Sequence, residues 1–204
     1  MGPDPLPDGA RQIGQTGRLR INGIVEESVV DGPGLRFVVF TQGCPHNCAG
    51  CHNPDTHRLG GGYVVETPDL LRQFRENPLL AGITFSGGEP FLQPAPLVWL
   101  AAQVRRLGKN VVTFTGFTYE KLADMSRERP EIGRLLDLSD ILIDGPYLED
   151  LRDLELQYRG SGNQRVLTLR DREDLRPGCR HFSYEDKYDC KNNHIHCAAR
   201  ADRV

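Results

Sequence analysis

The sequence predicts an α/β fold in which mostly parallel strands form a partial, open (β/α) barrel. Two observations carry this prediction. Short apolar, β-branched runs such as LRFVVF (35–40) alternate with segments of helical periodicity, and this alternation is typical of a parallel sheet with helical crossovers. The periodic part of the chain is about 150 residues long, which is too short for a closed eight-unit barrel of roughly 250 residues.

The helices are predicted from their end signals and their apolar stripes. Thr67-Pro68 suits a helix start, and Pro78 ends that helix. A second helix is followed by Gly108, a typical C-terminal signal, and has an apolar stripe of Leu97, Leu100, Ala101, Val104 and Leu107. The predicted elements, in chain order, are strand 35–40, helix 67–77, strand 82–88, helix 95–107, strand 111–116, helices 118–126 and 131–137, strand 141–145 and strand 165–169.

The chain divides into three predicted regions. Residues 1–18 are a polar, Pro- and Gly-rich lead-in, residues 19–170 are the folded domain, and residues 171–204 are a Cys- and His-containing extension. The net charge of −3 does not favour nucleic acid or an acidic membrane as a partner. No apolar run approaches the roughly 20 residues of a membrane span. Six cysteines without an export signal favour the cytoplasm, where cysteines serve as metal ligands or catalytic thiols.

The loop after the first predicted strand contains three closely spaced cysteines, Cys44, Cys48 and Cys51. Their spacing is compatible with part of a zinc site, a redox pair or an iron–sulfur loop. Three thiolates could hold three irons of a four-iron cluster and leave the fourth iron open to a substrate. The alternative is a zinc site whose fourth ligand is one of three nearby histidines, His46, His52 and His57.

These features resemble the radical S-adenosylmethionine (SAM) enzymes, and specifically the activating enzymes of glycyl-radical proteins. Five ordered motifs spanning roughly residues 20–169 carry the resemblance. They are VDGPGLRFVVFTQGCPHNCAGCHNPDTH (30–57), ITFSGGEPFLQ (83–93), TFTGFTYEKL (113–122), ILIDGPY (141–147) and YRGSGNQRV (158–166). The last three motifs are most like the subgroup that activates anaerobic ribonucleoside-triphosphate reductase. Five motifs in order are far more specific than a lone Gly-Gly-Glu turn.

The resemblance implies roles for several residues. Cys44, Cys48 and Cys51 would hold a [4Fe-4S] cluster whose open iron is chelated by SAM. The implied SAM-binding residues are Ser86, Gly87, Gly88, Glu89 and Asp144. Contacts to the target peptide are expected from Asp31, Gly32 and Pro33. From the residues alone, a purely structural turn stays open for both the Gly-Gly pair and the Asp-Gly-Pro segment, and also for Asp144.

The resemblance also implies a reaction and its partners. The reduced cluster would cleave SAM, and the resulting 5′-deoxyadenosyl radical would remove a hydrogen from a glycine Cα of a partner protein. That partner is expected to be anaerobic ribonucleotide reductase, and the electron donor a flavodoxin or ferredoxin. Two alternatives stay open: a radical SAM enzyme acting on a small molecule or peptide, and a non-catalytic iron–sulfur or zinc module.

The C-terminal extension departs from the short family pattern. Its spacing suggests a second metal site formed by Cys179, Cys190, His194 and Cys197. The alternative is a polar extension with reduced, unpaired thiols.

Overall fold

A seven-stranded mixed sheet organises residues 17–169, the part of the chain that the computed structural model describes. The strands are β1 (Arg18–Ser28), β2 (Arg36–Thr41), β3 (Tyr63–Glu66), β4 (Gly82–Gly87), β5 (Asn110–Phe114), β6 (Ile141–Asp144) and β7 (Arg165–Thr168). The helices are α1 (Thr67–Glu76), α2 (Pro94–Arg106), α3 (Tyr119–Met125) and α4 (Pro130–Leu138). Short 3-10 turns lie at Pro54–Thr56, Pro90–Leu92 and Glu149–Leu151.

The centre of the sheet has the parallel arrangement that the sequence predicts, but neither side of the sheet has it. The strand order is β3-β1-β2-β4-β5-β6-β7. β2, β4, β5 and β6 pair in parallel, whereas the three pairings that involve β1 and β7 are antiparallel. A parallel neighbour needs a long crossover, usually a helix. The segment 29–35 is too short for one, and 145–164 contains a single 3-10 turn.

The predicted elements are all present, with ends shifted by one or two residues, but two strands were not predicted. The sequence of β1 includes charged residues and Gly23, which weakens its strand signal, and β3 has four residues. Both are antiparallel additions on the β2 side of the sheet. β3 and β7 are the two edges of the described sheet, which is therefore open.

The main core lies between the sheet and the helices. Side chains of Phe37, Ile83 and Phe85 from the central strands are fully or almost fully buried with Leu100 of α2. Four members of the predicted stripe of α2 are buried, whereas Leu107 follows the end of the helix and is 41% exposed. The prediction that Leu107 belongs to the stripe is therefore wrong, because the helix ends one residue earlier.

The opposite face of the sheet has a smaller apolar cluster and the main cavity. Strand side chains alternate between the two faces, so Val112, Ile143 and Val166 point away from the helices. Phe114 and Tyr158 pack against them. The helices thus cover one face only, and the other face is left for a ligand.

Arg36 ties the amino-terminal ends of the central strands together. Its side chain is fully buried and donates hydrogen bonds to Thr84 Oγ1, to the carbonyls of Ile83 and Pro33, and to Asn110 Oδ1. These acceptors are neutral, and burial lowers the pKa of the guanidinium to about 10. Arg36 therefore stays charged near neutral pH and fastens segment 31–34 to the sheet.

The predicted end regions lie almost wholly outside the described residues. Of the lead-in, Gly17 and Arg18 are described, and Arg18 already begins β1. Residues 171–204 lie outside. Among residues 17–169, no helix has the length and apolar character needed to cross a membrane.

The burial of α2 leads to a stability prediction. We expect Leu100→Ala to lower the free energy of unfolding by about 2–5 kcal/mol, because it removes a fully buried side chain and leaves a cavity. Leu107→Ala, at the exposed end of the same helix, is expected to cost less than about 1 kcal/mol. Urea unfolding measures both, and equal losses would contradict the placement of Leu107.

Candidate functional site

The loops that follow β2, β4, β5 and β6 meet at one rim of the sheet, because the carboxyl ends of parallel strands lie together. They surround a cavity of about 730 Å³ on the face without helices. Phe40, Ser86 and Phe114 at the strand ends line it. The volume falls in the range of about 300–1,000 Å³ typical of sites for small molecules and cofactors.

The three cysteines of the loop after β2 all line this cavity. Cys44, Cys48 and Cys51 are half-buried and free of disulfides. Burial raises the pKa of the Cys44 thiol. The loop thus offers three sulfur ligands to one side of a cavity that extends across the sheet.

The arrangement of the thiols fits an iron–sulfur cluster. Within residues 17–169, no three His, Cys, Asp or Glu side chains converge closely enough to hold a single metal ion. The thiolates of a four-iron cluster bind different irons and therefore do not have to converge. The three free thiols on one loop supply the soft ligands that such a cluster requires, so the residues present fit the group.

Glu89 joins the loops around the cavity. Its side chain is fully buried, and four groups donate hydrogen bonds to its carboxylate. They are Phe91 N at 3.0 Å, Thr115 Oγ1 at 2.9 Å, Gly116 N at 3.0 Å and His46 Nε2 at 2.8 Å. Glu89 does not line the cavity, although Ser86, Gly87 and Gly88 do. Its carboxylate connects the cysteine loop to the loops after β4 and β5.

His46 is the contact between the cysteine loop and this carboxylate. It lies between Cys44 and Cys48 in sequence, and its ring meets that of Phe117 edge to face with centroids 4.5 Å apart. A Cβ atom on Gly116 would collide with the imidazole. The histidine side chain therefore fills a slot in the loop after β5, and this contact holds the middle of the cysteine loop in place.

Gly87 and Gly88 are required by packing as well as by their place at the cavity. Gly87 has φ +90°, and a Cβ there would lie 2.6 Å from Phe40 Cα. A Cβ on Gly88 would collide with the carbonyls of Gly43 and Thr41. The Gly-Gly turn thus lets the end of β4 lie directly against the start of the cysteine loop.

Two amide side chains support the loop from the other side. Gln42 Nε2 donates to the carbonyls of Asp55 and Arg58 at 3.1 and 2.6 Å. Gln93 Nε2 donates to the carbonyls of Arg20 and Gln42 at 2.9 and 3.0 Å. The chain on both sides of the cysteines is therefore bonded to its neighbours.

Asp144 lies beside the cavity, in a buried ion pair. It is fully buried, and its carboxylate accepts hydrogen bonds from Arg165 and from Tyr119 N, the latter at 2.7 Å. Arg165 also binds Glu120 in a bidentate pair and lowers the pKa of that carboxyl to about 2. The next residue, Gly145, lines the cavity, whereas Asp144 does not. In this arrangement Asp144 anchors the start of the segment that follows β6.

The Asp-Gly-Pro segment contributes one residue to the cavity. Asp31 lines it, whereas Gly32 and Pro33 do not. The Asp31 carboxylate accepts a hydrogen bond from Ser28 Oγ, and its backbone carbonyl accepts one from Thr84 Oγ1 at 2.8 Å. The segment is therefore held against the sheet, and Asp31 borders the site.

Several cavity residues were not predicted. One wall includes Leu154, Leu156 and Tyr158, and Val29 and Val30 lie beside Asp31. The residues of the wall follow β6 in a stretch of bends and turns, where no periodicity marks them. An excess of apolar residues in a non-periodic loop was the one available signal. The predicted second metal site of Cys179, Cys190, His194 and Cys197 lies outside the described residues and stays a prediction.

Residues 30–167 match a family described as a 4Fe-4S single cluster domain. The chain is 35% identical over 161 residues to the anaerobic ribonucleoside-triphosphate reductase-activating protein of Salmonella typhimurium, covering 74% of this chain and 100% of that protein. The Escherichia coli K12 protein of the same name is 33% identical over 151 residues, with 70% and 94% covered. The pyruvate formate-lyase-activating enzyme of Clostridium pasteurianum is 36% identical over 132 residues, with 62% and 55% covered.

The rim geometry and these matches define the class as a radical SAM enzyme with a [4Fe-4S] cluster. The chain belongs to the family of glycyl-radical-enzyme activating proteins, and the relatives that it matches over nearly their full length are named for anaerobic ribonucleoside-triphosphate reductase. The resemblance stated from the five motifs is confirmed. The cofactors of this protein are a [4Fe-4S] cluster and SAM. The relatives named above are activating proteins and enzymes, so a non-catalytic module is excluded.

The two partners of Arg165 allow a matched stability test. We expect Arg165→Met to lower the free energy of unfolding by about 3–5 kcal/mol, because it leaves the Asp144 carboxylate buried without its cation. Glu120→Gln disrupts the other ion pair of the same guanidinium, in which the Glu120 side chain is 59% exposed. That change should cost less than about 1 kcal/mol. Denaturant unfolding at neutral pH measures both, and a small loss for Arg165→Met would refute the anchoring role.

Proposed function

We propose that this protein uses SAM and a [4Fe-4S] cluster held by Cys44, Cys48 and Cys51 to generate a glycyl radical on anaerobic ribonucleoside-triphosphate reductase. The observation that carries the proposal is the placement of the three free thiols and the Ser86-Gly87-Gly88 turn in one cavity at one rim of the sheet. The family and the names of the relatives support the same reaction.

The residues of the chain bind and orient the reactants. When bound, the cluster and SAM supply a one-electron reductive cleavage whose organic radical takes a hydrogen atom from a glycine Cα. Backbone groups of Gly87 and Gly88 are available to SAM, since these positions have no side chain between the turn and the cavity. Glu89 acts through the loops that it joins, because its carboxylate already accepts hydrogen bonds from protein donors.

The mouth of the cavity suits a polypeptide substrate. Val29, Val30 and Leu154 line the cavity and are 75%, 72% and 81% exposed. Large apolar side chains at this exposure favour a protein contact, because burying them against a partner is favourable. A glycine-bearing segment that enters beside them would meet Asp31, which lines the same cavity as the cysteines. The contacts predicted for Gly32 and Pro33 belong to the same proposal.

The open sheet forms a partial barrel whose concave side receives the substrate. The electron donor is a flavodoxin or a ferredoxin, since either delivers single electrons. The location is the cytoplasm, which keeps cysteine thiols reduced.

Radical formation tests the proposal directly. Anaerobically reconstituted protein, dithionite-reduced and mixed with SAM and the reductase, should give a glycyl radical detectable by electron paramagnetic resonance. Cys48→Ala should abolish both SAM cleavage and the radical, because it removes a cluster ligand. Leu79→Ser, at a 78% exposed position away from the cavity, is the control and should retain both. A radical of normal yield in Cys48→Ala would overturn the ligand assignment.

The mouth residues generate a separate prediction. We expect the double change Val29→Ser and Val30→Ser to raise the reductase concentration needed for half-maximal radical formation about tenfold, which corresponds to roughly 1.4 kcal/mol of lost contact. SAM cleavage without the reductase should be unchanged. Leu79→Ser again serves as the control, because its side chain is equally exposed. Unchanged dependence on reductase would show that the partner does not contact this side of the mouth.

A further inference from the structure

His57 lies beside the cysteine loop, in a position that the reaction described above does not use. It follows the 3-10 turn Pro54–Thr56, and its backbone carbonyl accepts a hydrogen bond from Cys44 N at 3.1 Å. The neighbouring bond from Gly43 N to Thr56 O, at 2.7 Å, continues this pairing. His57 is half-buried and lines the same cavity as the three cysteines.

The Nε2 atom of His57 is buried and has no hydrogen-bond partner within residues 17–169. A polar atom left in this state costs about 1–3 kcal/mol, and native proteins rarely tolerate it without a reason. The other two histidines of the region differ in this respect. His46 is hydrogen-bonded to Glu89. His52 is exposed and packs against Tyr147 in a tilted ring contact with centroids 5.0 Å apart.

A cluster held by the three cysteines would supply the partner that residues 17–169 do not. Thiolate and sulfide sulfurs only accept hydrogen bonds, so a nitrogen facing them must carry the proton. The neutral imidazole can place its single proton on Nε2.

We propose that His57 Nε2–H donates a hydrogen bond to a sulfur of the [4Fe-4S] cluster and thereby raises its reduction potential. The inference rests on the proposed function, since it requires the cluster on Cys44, Cys48 and Cys51. A hydrogen bond to a cluster sulfur stabilises the more negatively charged, reduced state. His57 is thus a positioning residue that acts on the electron-transfer step and not on the target glycine.

Three substitutions at one position test the hydrogen bond. His57→Phe keeps a ring but has no donor, His57→Gln can place an amide near Nε2, and His57→Asn can place one only near Nδ1. The reconstituted proteins are titrated to obtain the midpoint potential, without SAM, from the paramagnetic resonance signal of the reduced cluster. We expect the Phe and Asn variants to disfavour reduction at least about threefold, roughly 28 mV for one electron. His57→Gln should stay close to the wild-type potential.

The controls separate this inference from its alternatives. His52→Phe changes another histidine of the cavity, the exposed one that directly follows Cys51, and should leave the potential within experimental error. Iron content should be the same in all variants, and a loss of iron in His57→Phe would instead make His57 a ligand. An unchanged potential in His57→Phe, or a shift that appears only after SAM is added, would overturn the cluster hydrogen bond. Failure of the wild type to bind iron would refute the proposed function itself.

Discussion

The site depends on the buried carboxylate of Glu89. A buried charge without compensation is costly, and here three loops supply the donors that satisfy it: the turn after β4, the loop after β5 and the cysteine loop through His46. None of the three loops can move away without breaking a charge-assisted hydrogen bond to this carboxylate. Glu89 therefore fixes the relative positions of loops that are distant in sequence.

The topology of the sheet explains why one carboxylate can hold loops that are distant in sequence. Four parallel strands bring their carboxyl ends to one rim, and each contributes a loop to it. The antiparallel strands β1 and β7 need no helical crossover, so they extend the sheet on its two sides without covering its ligand face. Asp144 and Arg165 are paired residues of β6 and β7. Their ion pair, in which the Asp144 carboxylate is buried, holds the rim at the end of β6, as Glu89 holds the loops after β2, β4 and β5.

Much of this architecture could be predicted from the sequence, for physical reasons. The central strands are buried on both faces, so their apolar runs stand out, and the cysteines and the Gly-Gly turn directly follow such runs. β1 was missed because its charged residues and Gly23 obscure its alternation. The placement of Glu89 and Asp144 behind the cavity wall was missed because it depends on donors at Thr115 and Arg165, which become neighbours only in the folded sheet.

The contacts that hold the cysteine loop have a consequence for the structure of the protein before the cluster binds. His46, Gln42 and the backbone pairings of Gly43 and Cys44 attach this loop to protein groups, not to iron. Small zinc domains fold only when their metal binds, whereas in this chain hydrogen bonds to protein groups hold the loop. Assembly of the cluster can thus be a late event on a finished scaffold, reached through half-buried thiols. Loss of the cluster would then leave these attachments of the loop in place.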